Sequence, residues 1–265
     1  MQRHMERLRR AIWNYKQPLS LIPELGAPIS DLFIWRNSAE WETFFELTDV
    51  SGLFADHTMS ANRYATLFFF DNRGNPFFEK RLNFGIQRRQ TIEVSQFVSG
   101  SVSPIGTFCV FHSHIPQAVT DLGSCLAERG YLSYRYLGAP LRGYVHGNLD
   151  AISLLPNQSL KLLGAHSFLE REYRLQHELR GPALYEIAIV NPSRRDQLVS
   201  CEVLSLSGEE VLEKQDVQLS PKGCHLFPVS VNPSQPVRVV MTSHLVMARP
   251  LVFRTNEQKM DVFHG

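Results

Sequence analysis

The chain has 265 residues, 43% of them hydrophobic, and carries 27 basic against 26 acidic side chains. That length suits one large domain or two ordinary ones, and the hydrophobic content excludes a disordered chain. A net charge near zero removes any general electrostatic reason to bind nucleic acid or an anionic membrane. Cys109, Cys125, Cys201 and Cys224 form no Cys-x-x-Cys pair, which excludes a zinc knuckle and a thioredoxin-type motif.

In residues 1–17, Met5, Leu8, Ile12 and Trp13 fall at helical spacing among Arg3, Arg7, Arg9, Arg10 and Lys16. The spacing predicts a short N-terminal helix that docks on protein rather than on a membrane, stopped by Pro18 and Pro23. No apolar run reaches the ~18 residues of a spanning helix. No apolar segment follows the basic start as it would in a signal peptide, so the expected setting is the cytoplasm.

From Asp31 onward the texture is that of strands. Leu32–Trp35, Thr43–Thr48 and Arg63–Phe70 are extended candidates, and Asp71-Asn-Arg-Gly-Asn75 is a turn signal that makes a hairpin with Pro76–Phe84. Gln90–Ser95 alternates, and Ile105–His114 is mainly apolar, as a buried strand would be. Residues 116–128 break the β texture. Two extended runs, Tyr131–Tyr136 and Leu141–Asn148, flank Gly138-Ala-Pro140, and Pro156-Asn-Gln-Ser159 marks a candidate boundary. The second half continues with Tyr185–Val190, Leu198–Leu204, Val217–Leu219, Cys224–Val229, Val237–His244 and Pro250–Arg254, punctuated by Asn191-Pro192, Ser207-Gly208 and Ser220-Pro-Lys-Gly223.

The halves align by pattern. The Asp71–Gly74 turn matches Ser205–Gly208, Ser113-His-Ile115 matches Ser243-His-Leu245, and Val145-His-Gly147 matches Phe263-His-Gly265. His114 and His146 are 32 positions apart and His244 and His264 are 20, a difference equal to the 12 residues of 116–127. The resulting expectation is an all-β protein of two tandem antiparallel β-sandwich-like lobes related by an internal repeat. Its parts are an N-terminal helical segment (1–20), a first lobe (21–157) and a second lobe (158–265). Exposed strand edges would favour homo-oligomers.

The order strand, Asn191-Pro-Ser193 turn, strand, Ser207-Gly-Glu209 turn, strand, Leu219-Ser-Pro-Lys-Gly223, then Val239–Leu251 resembles the sensory-rhodopsin transducer family and related small bacterial β-sandwiches. The likeness spans residues 184–254 and, more faintly, 42–115. It implies a sandwich that binds or signals, with carbohydrate among its ligands, rather than an enzyme. It transfers no functional residue.

Chemistry-bearing residues gather in the first half. In Tyr131–Tyr136, alternation puts Tyr131, Ser133 and Arg135 on one strand face; in Leu141–Asn148 it aligns Arg142, Tyr144, His146 and Asn148. Planar donors beside aromatic rings suit a sugar ring, a carboxylate or a phosphate. The expected ligand-binding surface is therefore His112, His114, Arg135, Arg142, Tyr144, His146 and Asn148, taking a small polar ligand or a protein partner, without a cofactor. The alternative is a divalent metal held by His112, His114 and His146, as an open three-histidine site. Ser113 is no hydrolase nucleophile: its histidine neighbours point to the opposite face, and the chain has no Gly-x-Ser-x-Gly elbow.

Overall fold

The computed structural model describes residues 19–24, 26–54, 63–113, 121, 125–128, 130–147, 149–256 and 259–265. The helix expected over residues 1–17 lies outside them. More than half of the described residues lie in strands, so the all-β class stands. Helix among the described residues is limited to two short segments, α1 (Val50–Phe54) and α2 (Ser95–Val98). None is long and apolar enough to cross a membrane.

The strands of the first half are β1 (Ile29–Ser30), β2 (Phe33–Arg36), β3 (Trp41–Thr48), β4 (Tyr64–Asp71), β5 (Pro76–Asn83), β6 (Arg89–Glu93), β7 (Ile105–His112), β8 (Ala127–Glu128), β9 (Tyr131–Tyr136), β10 (Gly143–His146), β11 (Ile152–Leu154) and β12 (Leu160–Leu162). Those of the second are β13 (His166–Arg174), β14 (Ala183–Val190), β15 (Gln197–Ser205), β16 (Val211–Leu219), β17 (Cys224–Val231), β18 (Val237–Leu245), β19 (Leu251–Asn256) and β20 (Lys259–His264). They pair into five four-stranded sheets. Sheet I runs β12-β11-β1-β8, sheet II β2-β7-β4-β5, sheet III β10-β9-β3-β6, sheet IV β13-β18-β15-β16 and sheet V β17-β14-β19-β20. Among the described residues, only β1 and β8 pair in parallel.

Each sheet is covered by neighbours. Sheets II and III share a core built on Phe33, Trp35, Phe45, Leu67, Phe69, Phe108 and Leu132, in which Phe45 meets Phe108 edge-on at 5.4 Å. Each such side chain contributes about 1.5–3 kcal/mol on full burial. The opposite face of sheet II, with Phe70, Cys109 and Phe111, is covered by Leu149, Ala151, Ile152 and Leu162 in and beside sheet I. Burial on both faces is why Phe108-Cys-Val-Phe111 is an unbroken apolar run. Sheets IV and V enclose a further core around Ile187, Val199, Phe227, Val239 and Met241. Sheet V also reaches the first core, where the Phe253 ring stands edge-on to Tyr134 at 4.8 Å. The chain between β12 and β13 lies against the β14–β15 turn, with Gly164 N donating to Pro192 O at 2.9 Å.

The expected pair of sandwich lobes related by an internal repeat is corrected to a five-bladed β-propeller of small sheets. Hairpin turns indicate which successive strands pair. They do not indicate how many sheets share a core, and strands of two or three residues, such as those of sheet I, leave no periodicity to read. The candidate boundary Pro156–Ser159 forms the turn between β11 and β12, closed by Leu155 N donating to Ser159 O at 2.9 Å. Segment 116–127 lies largely outside the described residues; Ala127 begins β8.

Contacts between the halves are close. Thr107 Oγ1 donates to Lys222 O at 2.6 Å, and Cys224 N donates to Asn72 O at 3.0 Å. Gly74, at φ +80°, sits so near the opposing turn that a Cβ there would lie 2.0 Å from Pro221 O. Both the backbone angle and the space require glycine.

Candidate functional site

The outer face of sheet III is where strand alternation gathers polar chemistry. Register aligns His146, Tyr131, Glu46 and Thr91 in one row, and Tyr144, Ser133, Phe44 and Glu93 in the next; Arg135 pairs with Glu42 beyond them. The intervening Val145, Leu132, Phe45 and Ile92 point into the core. Phe44 faces outward yet is buried, because Arg142 lies over its ring at 3.5 Å from the centroid and Arg135 approaches at 5.7 Å.

The carboxylates of this face already have partners. Arg135 is ion-paired with Glu42. Glu46 accepts from Arg89 Nε at 3.2 Å and from Thr91 Oγ1 at 3.1 Å. Arg142 has no carboxylate partner among the described residues. Tyr144 is the next residue along this face and Tyr131 lies beyond it, opposite His146; they are 58% and 59% exposed. The exposed His146 ring lies 6.4 Å from Tyr131, and its Nδ1 donates to Gly147 O at 2.6 Å.

The structure thus brings together Arg135, Arg142, Tyr144 and His146 on one surface. His112 is not on it. Its side chain is buried at the end of β7, its ring stacks on Phe84 at 5.8 Å, and Nε2 lies 2.7 Å from Glu128 Oε2. The other Glu128 oxygen accepts from Gly130 N at 2.6 Å. His114 and Asn148 lie outside the described residues. No group of three metal-ligating side chains occurs among the described residues, and His112 and His146 share no partner. The sequence reading missed Phe44 as a platform and Glu42 and Glu46 as neighbours. Alternation along Trp41–Thr48, with Phe44 between two glutamates, was the available signal. Gly143 serves packing: a Cβ there would lie 2.7 Å from Val262 Cγ1 of β20.

Beside His146 a cleft of about 50 Å³ opens between the halves, with Asp31, Met247, Arg249 and His264 in its wall. His264 Nε2 donates to His146 O at 3.0 Å. Burial lowers the pKa of His264, and burial likewise lowers that of His225 on β17. A depressed folded-state value means the unfolded chain binds more protons, so stability rises with pH. This contribution is complete above the unfolded value of about 6.5 and is lost as the pH falls below it. Thermal unfolding at pH 7.5 and 5.5 is expected to show lower stability at the acid value, with a smaller difference in His264→Gln. An unchanged difference in the variant would remove His264 from this role.

No family model matches the chain, and no curated protein matches it. Among solved structures it is similar to a chain described as the structure of infectious bursal disease virus Gt strain, at 8% identity and a TM-score of 0.15, over 85% of this chain and 54% of that one. The chain therefore spans about half the length of that neighbour, and the likeness carries no argument about fold or function.

Proposed function

We propose that this is a non-enzymatic binding protein that holds a small polar ligand, bearing a carboxylate or phosphate, on the outer face of sheet III. The observation that carries the reading is Arg142: a cation without a carboxylate partner among the described residues, backed by the Phe44 ring at 3.5 Å and followed along the face by the exposed Tyr144. A guanidinium held flat against an aromatic ring keeps its donor edges free for bidentate bonds to an anion. Tyr131, Tyr144 and His146 add apolar ring surface and hydrogen-bonding tips, the mix that suits a sugar acid. Arg135, committed to Glu42, stands beside Arg142 as a secondary anchor.

A thermal-shift screen with D-glucuronate, citrate and inorganic phosphate tests this reading. At least one anion is expected to raise the unfolding temperature of the wild-type protein and to leave that of Arg142→Ala unmoved. A shift of equal size in both proteins, or none in either, would remove the site.

A further inference from the structure

We infer that a second ligand site, built for the adjacent hydroxyls of a neutral sugar or polyol, lies in the seam where β2 and sheets III and V meet. A pocket of about 270 Å³ opens there, with Arg36, Trp41, Tyr136, Glu186 and Thr255 in its wall. Its floor is an ion pair made by residues 150 positions apart: Arg36 Nη2 donates to Glu186 Oε1 at 3.1 Å, and Nη1 lies 2.8 Å from Oε2. The guanidinium is clamped 3.8 Å over the Trp41 ring and 4.7 Å from that of Phe253.

A buried ion pair is a poor way to stabilise a seam, since apolar residues of the same volume do as well or better. This pair is also asymmetric. Both line the pocket, and Glu186, at 19% exposed against 6% for Arg36, is the more accessible member. The ion pair holds both Glu186 oxygens in place: Oε1 accepts from Arg36 Nη2 and Oε2 lies beside Nη1. Each oxygen retains a further lone pair. Two fixed acceptors side by side match two neighbouring hydroxyl donors. The half-buried Tyr136, its ring centroid 5.0 Å from that of the buried Trp41, supplies ring surface for the C–H face of such a ligand.

Charge sets the class. Arg36 is neutralised by Glu186, and Glu40 on the wall adds a negative charge, so the pocket repels a carboxylate or phosphate. This is opposite to the selectivity of the Arg142 face, and neither site depends on the other.

Trp41 reports on the pocket directly. Tryptophan fluorescence of the full-length protein would be titrated with D-glucose, D-galactose, D-mannose and sorbitol, with D-glucuronate for comparison. A saturable change is expected with at least one neutral compound. It should be lost in Trp41→Phe, weakened about tenfold by Thr255→Val through one missing hydrogen bond, and unchanged in Arg142→Ala. Tyr136→Ala serves as a second wall variant, with its fold checked by circular dichroism. The absence of any saturable response overturns the site. A response that survives both Thr255→Val and Tyr136→Ala places the ligand elsewhere, and a glucuronate response as tight as that of the neutral compounds and still present in Arg142→Ala overturns the class.

Discussion

Arg36→Ala is expected to lower the free energy of unfolding by about 3–5 kcal/mol, because it leaves the Glu186 carboxylate in the seam without its counter-charge. The pair joins β2 to β14, and the same guanidinium fills the space between Trp41 and Phe253, so the truncation also removes packing between the halves. Burial lowers the pKa of Arg36, which shows that the site penalises charge and relies on Glu186 to hold it. Urea unfolding followed by circular dichroism measures the loss. The double variant Arg36→Met, Glu186→Leu should recover most of it, since it removes both charges and keeps the volume. A single variant that loses less than about 1 kcal/mol would mean that the pair behaves like a solvent-exposed one.

Trp35→Ala is expected to cost a similar amount, about 3–5 kcal/mol, as large-to-small changes in a packed core do. Trp35 is fully buried, and its Nε1 is shared between Phe70 O at 3.1 Å and Thr107 O at 3.2 Å. The indole lies flush on Gly106, where a Cβ would come within 2.5 Å of the ring. Trp35→Phe should cost less, because it keeps most of the apolar volume, although it also loses the shared donor. Equal losses for Phe and Ala would assign the effect to the hydrogen bonds rather than to the packing.

Alternation was the most legible feature of the sequence. It placed Arg135, Arg142, Tyr144 and His146 on one face, since a strand with one face in the core fixes the direction of every second side chain. The turns were legible too. Asp71 Oδ1 accepts from Arg73 N and Asn75 N, both at 2.9 Å, which is the local bonding that makes such a sequence a turn. The sheet arrangement was not legible. Sheet I is assembled from strands of two or three residues drawn from positions 29, 127, 152 and 160 onward, and no local pattern links them. His112 was expected at the surface because alternation treats a strand as having one open face. Sheet II has none at that point, and the partner of His112 is Glu128 from a segment that reads as a loop. The Arg36–Glu186 pair escaped for the same reason: its members belong to different halves, and only the packed structure brings them together.

The most direct test is a calorimetric titration of D-glucuronate and inorganic phosphate into the wild-type protein and into Arg142→Ala. Binding of at least one anion to the wild type is predicted, weakened about 10- to 150-fold in the variant, as the loss of a charge-assisted hydrogen bond worth about 1.5–3 kcal/mol requires. The half-buried Arg142 should leave the unfolding temperature nearly unchanged when it is truncated. Equal affinity in the two proteins, or a variant that unfolds while its affinity stays intact, would contradict the assignment of the sheet III face as the binding site.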